Sequence, residues 1–150
     1  MIGLKIDKSM FFDTAKVRRA VSDGTRKVLS KFGAFVMTAA RHSIRKRKAV
    51  SQPGRPPSSH VGTLKRLIFF GYEPGKKSVV IGPTPFAAKG GTAVVPELLE
   101  QDHAAGTTRR IRGTRRGKVV VMTYRARPYM GPAFESEKPK LPALWAGSVK

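Results

Sequence analysis

The longest stretch with helical spacing in this chain is DTAKVRRAVSDGTRKVLSKFGAFVMTAARHSIRKR, which occupies residues 13–47. Apolar residues recur in it every three or four positions, so they share one face of a helix. Asp13 is suited to cap the first turn, because its carboxylate can accept a hydrogen bond from a free backbone N–H. The stretch therefore predicts one helix that is about 52 Å long. Its apolar stripe consists of Val17, Val21, Gly24, Val28, Phe32, Phe35 and Ala39, widened by Leu29, Val36 and Ile44.

Two glycines lie within the predicted helix, and prolines follow its end. Gly24 and Gly33 each weaken a helix by about 1 kcal/mol relative to alanine, so we expect a bend or a close packing contact near either. The helix must stop before Pro53, and residues 51–60 are predicted to form a loop, because X-Pro steps favour extended backbone. The last predicted turn is rich in cations, which suit the negative end of a helix dipole. These cations are Arg41, Arg45, Lys46, Arg47 and Lys48.

Two hairpins are predicted after the loop. Residues 64–72 and 78–84 are rich in β-branched and aromatic side chains, and Pro74 and Gly75 suit the centre of a type II turn between them. A second hairpin is predicted over residues 106–130, with its tip at 113–117 and a strand at 118–124. Residues 94–102 suggest a short helix that opens at Pro96. The chain ends in a predicted short helix broken by Pro139 and Pro142.

These elements predict an α+β fold of one domain, residues 1–150. We expect the long N-terminal helix to pack on an antiparallel β-sheet, with loop arms at about 51–62 and 105–118 and a short C-terminal helical segment. No run approaches the ~18 apolar residues of a membrane-spanning helix, and the N-terminus lacks a signal-peptide pattern, so we expect a soluble protein. The absence of cysteine excludes disulfides and thiolate metal sites.

The charge of the chain is extreme. Thirty Lys and Arg residues stand against nine Asp and Glu residues, which gives a formal net charge of +21 at pH 7. Such an excess repels itself within a small fold, and it therefore predicts a polyanionic partner, either nucleic acid or strongly acidic protein.

Motifs for catalysis are weak. The phrase GYEPGKKS resembles a phosphate-binding loop, but three residues rather than four separate Gly71 from Gly75, and the turn joins two strands. The three histidines, His42, His60 and His103, have no partner at ligand spacing. We therefore expect no enzyme activity, no catalytic residues, no metal and no cofactor.

Two cationic clusters are candidates for contact with DNA or with an acidic partner. Aromatic side chains that would stack on bases are missing from both, so any DNA would be met through its backbone. Alternative explanations for the first cluster are that its cations end the helix, that RKRK is a nuclear-localisation signal, or that the cations are simply exposed to solvent. The candidates are Arg41, Arg45, Lys46, Arg47, Lys48, Arg55, Arg109, Arg110, Arg112, Arg115, Arg116 and Lys118.

Five phrases, in order, carry a resemblance to a known family. They are ARHSIRKRK, QPGRPPSSHVGTLKRLIFFGYEP, KSVVIGPT, VPELLEQD and RARPYMGPAFESEKPKLPALW, and they span most of residues 41–145. Together they resemble tailed-phage neck proteins, the tail-completion or head–tail connector proteins that are often described as minor tail or virion morphogenesis proteins.

The resemblance implies a structural virion protein of α+β fold. Such subunits form a homo-oligomeric ring, a hexamer or a dodecamer, around the DNA channel in the neck. The implied partners are a portal or adaptor protein, a tail terminator or tail tube protein, and the phage DNA backbone. The implied location is the virion, assembled in the bacterial host cytoplasm. The other interpretation of this basic chain is a non-sequence-specific nucleic-acid-binding protein of ribosomal or nucleoid type.

A ring subunit needs loops and apolar anchors that contact its neighbours. Pro-rich loops lose little entropy when they become ordered, which suits residues 51–60 to such a role. Trp145 has an alternative role as a cap on the core of its own subunit. The candidate inter-subunit contacts are Pro53, Pro56, Pro57, Arg127, Pro128, Tyr129, Met130, Leu141, Leu144 and Trp145.

Overall fold

The computed structural model describes residues 13–86, 95–100, 108–115 and 118–148, and for residues 108–124 it describes the backbone only. The predicted α+β class is confirmed: a long N-terminal helix packs against a two-stranded antiparallel sheet and against short C-terminal helices. A 3₁₀ turn at Lys138–Lys140 joins the last two helices. The elements are α1 Thr14–Ser43, α2 Thr63–Arg66, β1 Ile68–Glu73, β2 Ser78–Pro83, α3 Val95–Glu100, β3 Thr108–Arg115, β4 Lys118–Arg125, α4 Met130–Glu137 and α5 Leu141–Trp145.

The first helix begins as predicted and ends earlier than predicted. The Oδ1 atom of Asp13 accepts a hydrogen bond of 3.0 Å from the backbone N–H of Lys16, which confirms the cap. The helix stops at Ser43, because Ile44 turns to extended backbone and buries its side chain in the core. Residues 45–48 therefore lie beyond the helix, and the helix dipole does not explain their charge.

The two hairpins form separate two-stranded sheets, β1–β2 and β3–β4. In the first, Ile68 pairs with Pro83 and Glu73 pairs with Ser78. In the second, Thr108 pairs with Arg125, and the final pair is Arg115 with Lys118. The predicted tip at 113–117 begins too early, because residues 113–115 belong to β3. Residues 116–117 lie outside the described part of the chain.

Two local predictions about the first hairpin are wrong. Residues 63–66 form α2 instead of the start of a strand, which buries Leu64 immediately before β1. The turn is not a type II turn centred on Pro74 and Gly75. It spans residues 74–77, with the positive φ of 47° at Lys77 instead of at Gly75. The register in which Glu73 pairs with Ser78 requires this four-residue connection.

The core forms where the C-terminal half of α1 meets β1 and α4. Its buried face is offset from the predicted stripe, because Ala40 is buried in place of Ala39 and Phe35 is exposed. The N-terminal half of α1 leaves Val17 and Val21 about half exposed. The core cluster consists of Phe32, Val36, Ala40, Ile44, Leu64, Ile68, Tyr129 and Ala133.

Gly33 confirms the predicted close packing contact. A Cβ atom at this position would lie 2.8 Å from Val79 Cγ2 and 2.9 Å from Phe70 Cδ2. These distances are shorter than ordinary van der Waals contacts, so the first hairpin can lie on α1 only because residue 33 has no side chain.

Replacing Gly33 with valine should lower the free energy of unfolding by about 1–3 kcal/mol, because the added atoms would force Phe70 and Val79 apart. Urea denaturation followed by circular dichroism measures this loss. The matched control is Gly71→Val, since nothing lies within 4 Å of a Cβ at Gly71. Equal stability of the two variants would contradict the close contact.

Candidate anion-binding surface

Three of the predicted cations meet at one place on the surface. Arg45, Arg47 and Arg55 line a pocket of about 270 Å³, together with Ser43, Pro56 and Pro57. We call these six residues the arginine pocket. The three arginines are exposed, and no carboxylate lines the pocket among the residues that the structure describes. The pocket is therefore a concentrated patch of positive charge.

Backbone contacts hold the wall that carries Arg45. The backbone carbonyl of Arg45 accepts a hydrogen bond of 3.0 Å from the N–H of Ser59, and Arg45 and Ser58 form a parallel bridge. The hydroxyl of Ser58 donates to the carbonyl of Ala49 at 2.6 Å and accepts from the N–H of Ser51 at 3.2 Å. The chain after α1 is thus tied to the following loop.

A turn that is also tied down carries Arg55 on the opposite wall. Gly54 has a φ of 75°, in the left-handed region that favours glycine, and its N–H donates to the carbonyl of Ala126 at 3.0 Å. The N–H of Arg55 donates to the carbonyl of Gln52 at 3.2 Å. Because both walls have fixed backbone, the three arginines share a pocket in the free chain.

Arg41 is engaged inside the chain instead. Its Nη2 atom donates a hydrogen bond of 2.6 Å to the carbonyl of Ile68, and its guanidinium lies 6.0 Å from the centroid of the Phe69 ring. These contacts attach the last turn of α1 to β1. Lys46 and Lys48 are exposed beside the arginine pocket, and Lys48 borders a neighbouring groove of about 420 Å³.

The second cationic cluster lies along the β3–β4 hairpin. Arg109, Arg110, Arg112 and Arg115 belong to β3, and Lys118 begins β4. Arg116 lies outside the described residues. The structure places these positions on a ladder of paired strands.

The predicted inter-subunit residues of the proline loop differ in exposure. Pro53 is exposed, Pro56 is half-buried, and Pro57 is buried against the chain itself. Arg127 is also bound within the chain: its Nε donates to the carbonyl of Ser51 at 3.0 Å. The loop at residues 51–60 is therefore anchored to its own subunit, and it is exposed at residues 52–55 and at His60.

The remaining inter-subunit candidates lie near the C-terminal helices. Tyr129 is completely buried in the core, so its ring offers no surface to a second subunit. Pro128 is half-buried, and the partly buried Met130, Leu141 and Leu144 pack on the core. Trp145 remains 38% exposed, which leaves both its predicted roles open.

The sequence did not reveal the role of Glu100. Its Oε2 atom accepts hydrogen bonds from the backbone N–H groups of Tyr129 and Met130 at 3.0 and 3.1 Å, and its Oε1 atom accepts one from Gly131 at 2.6 Å. The carboxylate thus caps the start of α4, where negative charge is favourable. The signal was the small acidic cluster Glu97, Glu100 and Asp102, but nothing in its spacing pointed to α4.

The cap also influences the buried phenol of Tyr129. Burial raises the pKa of Tyr129, and the nearby negative charge of Glu100 raises it further. The phenol therefore keeps its proton in the folded chain at neutral pH, and its ring fills part of the core.

Over the described ranges, no helix has both the length and the apolar character needed to cross a membrane. The same residues contain no group of three or more His, Cys, Asp or Glu side chains arranged to hold a metal ion. Comparison of the chain with protein-family models, with curated proteins and with solved structures finds no match.

Proposed function

We propose that this chain is a structural subunit of a tailed-phage neck, which forms a ring that joins the head to the tail and lines or seals the DNA channel. The observation that carries the proposal is the junction between phrases that are far apart in sequence. Residues 40–48 and 52–60 meet at the Arg45–Ser59 hydrogen bond, residues 52–60 and 125–131 meet at Gly54 and Ala126, and Glu100 caps α4. The phrases that carry the family resemblance therefore form one structural unit.

The charge distribution supports the same role. The arginine pocket faces solvent, and a surplus of +21 requires compensation by polyanions. In a neck, DNA inside the ring and acidic ring partners above and below would supply that compensation. Phosphate contacts that read no base sequence would also let the genome slide through the channel.

The second candidate is a non-sequence-specific nucleic-acid-binding protein of ribosomal or nucleoid type. The arginine pocket favours it as well, because exposed arginines can neutralise phosphates without reading the base sequence. The two candidates differ in assembly: a neck subunit forms rings with its partners, whereas the alternative binds nucleic acid as a monomer or a dimer.

Sedimentation velocity of the purified chain, alone and mixed with the portal complex and tail terminator of the same phage, tests the proposal. We expect rings, or ring formation once a partner is added, and DNA binding that weakens steeply with salt. A chain that stays monomeric with every partner and binds DNA at physiological salt would support the alternative. In the phage, deletion of the gene should yield filled heads and finished tails that do not join, and normal infectious particles would disprove the neck role.

A further inference from the structure

The arginines near the proline loop divide into two groups. The guanidinium groups of Arg41 and Arg127 donate to backbone carbonyls of the chain, at Ile68, Ser51 and Arg125. The ion pairs found within the described ranges are Lys76–Glu73, Lys138–Glu135 and Lys140–Glu137. None of them includes Arg45, Arg47 or Arg55. The fold therefore uses Arg41 and Arg127 for its own packing, whereas Arg45, Arg47 and Arg55 line one pocket.

Three exposed arginines around one small pocket concentrate positive charge there, and this local potential attracts an anion. The walls are held by the backbone contacts of Arg45, Ser58 and Gly54, so the pocket persists in the free chain. Such an arrangement lowers the entropic cost of binding an anion, because the backbone that carries the three arginines is already in place.

The lining indicates which anion fits. Guanidinium matches phosphate geometry, and a tetrahedral phosphate presents oxygens in several directions, so it can accept bonds from three sides of a pocket. A carboxylate presents its two oxygens in one plane and is served by one or two arginines. Pro56 and Pro57 have no backbone N–H, and the lining lacks an aromatic ring on which a base could stack. Recognition therefore stops at the phosphate.

We infer that the arginine pocket is a preformed site for one phosphate group of a DNA backbone, held jointly by Arg45, Arg47 and Arg55. The inference deepens the proposed function, on which it rests for the choice of DNA as the polyanion. It assigns one DNA contact to this pocket, and the exposed Lys46 and Lys48 add to the surrounding positive potential.

The test compares two triple variants that remove the same charge. R45Q/R47Q/R55Q empties the pocket, and the control R18Q/R19Q/R26Q removes three exposed arginines from α1. Binding of a fluorescent 20-base-pair duplex is measured by anisotropy at several KCl concentrations. The pocket variant should bind about tenfold or more weakly, as expected for loss of charge-assisted hydrogen bonds, and the control should lose clearly less. Because one phosphate is shared, the slope of log K against log salt should fall by about 1.

Two outcomes of this comparison would overturn the inference. Equal losses in the two variants would mean that only the net charge matters. A fall in slope of about 3 would mean that each arginine contacts a separate phosphate. All six side chains are exposed, so both variants should fold, and circular dichroism checks this.

The wild-type chain provides a measurement that needs no variant. Phenylglyoxal modifies accessible arginines, and the duplex should protect Arg45, Arg47 and Arg55 more than Arg18, as read by mass spectrometry. If a polyglutamate peptide protects them at the same charge concentration and the duplex does not, the ligand is an acidic protein and the inference is wrong. The anisotropy and protection measurements use the isolated chain, so phosphate binding can be found even if no ring forms. Conversely, a ring can form even if the pocket binds no phosphate.

Discussion

Replacement of Tyr129 by alanine is expected to lower the free energy of unfolding by about 3–5 kcal/mol, the usual cost of removing a large aromatic ring from a core. Tyr129 is completely buried and belongs to the same cluster as Phe32, Ile44 and Ile68. Its removal leaves a cavity between α1, β1 and α4. Since a domain is stable by only about 5–15 kcal/mol, the variant should be marginal at 37 °C. Urea denaturation monitored by circular dichroism measures the loss.

The control for the cavity is Tyr129→Phe, which keeps the ring and removes the hydroxyl. Within the described part of the chain, that hydroxyl is buried without a hydrogen-bond partner. Its loss should therefore be neutral or slightly stabilising. A phenylalanine variant as unstable as the alanine variant would show that the hydroxyl, and not the ring, is what the core requires.

The wild type and the Tyr129→Phe variant should also differ in how their stability depends on alkaline pH. The unfolded phenol ionises near its ordinary pKa of about 10, whereas burial raises the pKa of Tyr129 in the folded chain. The unfolded state therefore loses a proton that the folded state keeps, and stability falls as the pH rises above about 10. Tyr129→Phe should lose less stability over this interval than the wild type, and identical pH profiles would contradict the assignment.

Replacement of Glu100 by alanine is expected to lower the free energy of unfolding by about 2–3 kcal/mol. The half-buried carboxylate satisfies the N–H groups of Tyr129, Met130 and Gly131, and its loss leaves the part-buried donors of Tyr129 and Met130 without this acceptor. The effect should exceed that of an ordinary helix cap, which is about 1 kcal/mol, because one side chain serves three donors. Thermal unfolding of the variant measures the loss.

The matched control is Glu135→Gln, an exposed glutamate of the same region whose ion pair within the described ranges is with Lys138 at 3.5 Å. Such surface pairs contribute about 0–1 kcal/mol, so this variant should remain close to the wild type. Glu100→Gln should fall between the two, since it keeps one acceptor oxygen and loses the charge. Similar stability of the Glu100→Ala and Glu135→Gln variants would mean that water replaces the cap without cost.

The sequence by itself determined the features that depend on neighbouring residues. The helical spacing and the Asp13 cap define α1 and its start, because helical contacts join residues three and four apart. The strand at residues 118–124 was predicted from its β-branched residues, and the loop at 51–60 was predicted from its X-Pro steps. Both signals also come from residues adjacent in sequence. Of the alternatives predicted for the two glycines, a bend or close packing, the structure has close packing at Gly33, although the sequence could not identify Phe70 and Val79 as the partners.

Only the tertiary structure decided where α1 ends and which charged groups are engaged. Ile44 leaves the helix because burial of its side chain outweighs one more helical hydrogen bond. Arg41 and Arg45 occur in the same cationic run, yet Arg41 bonds to a carbonyl 27 residues away and Arg45 faces the solvent. Glu100 similarly meets its donors 29 to 31 residues later. Such contacts depend on the path of the whole chain, so no local pattern of residues encodes them.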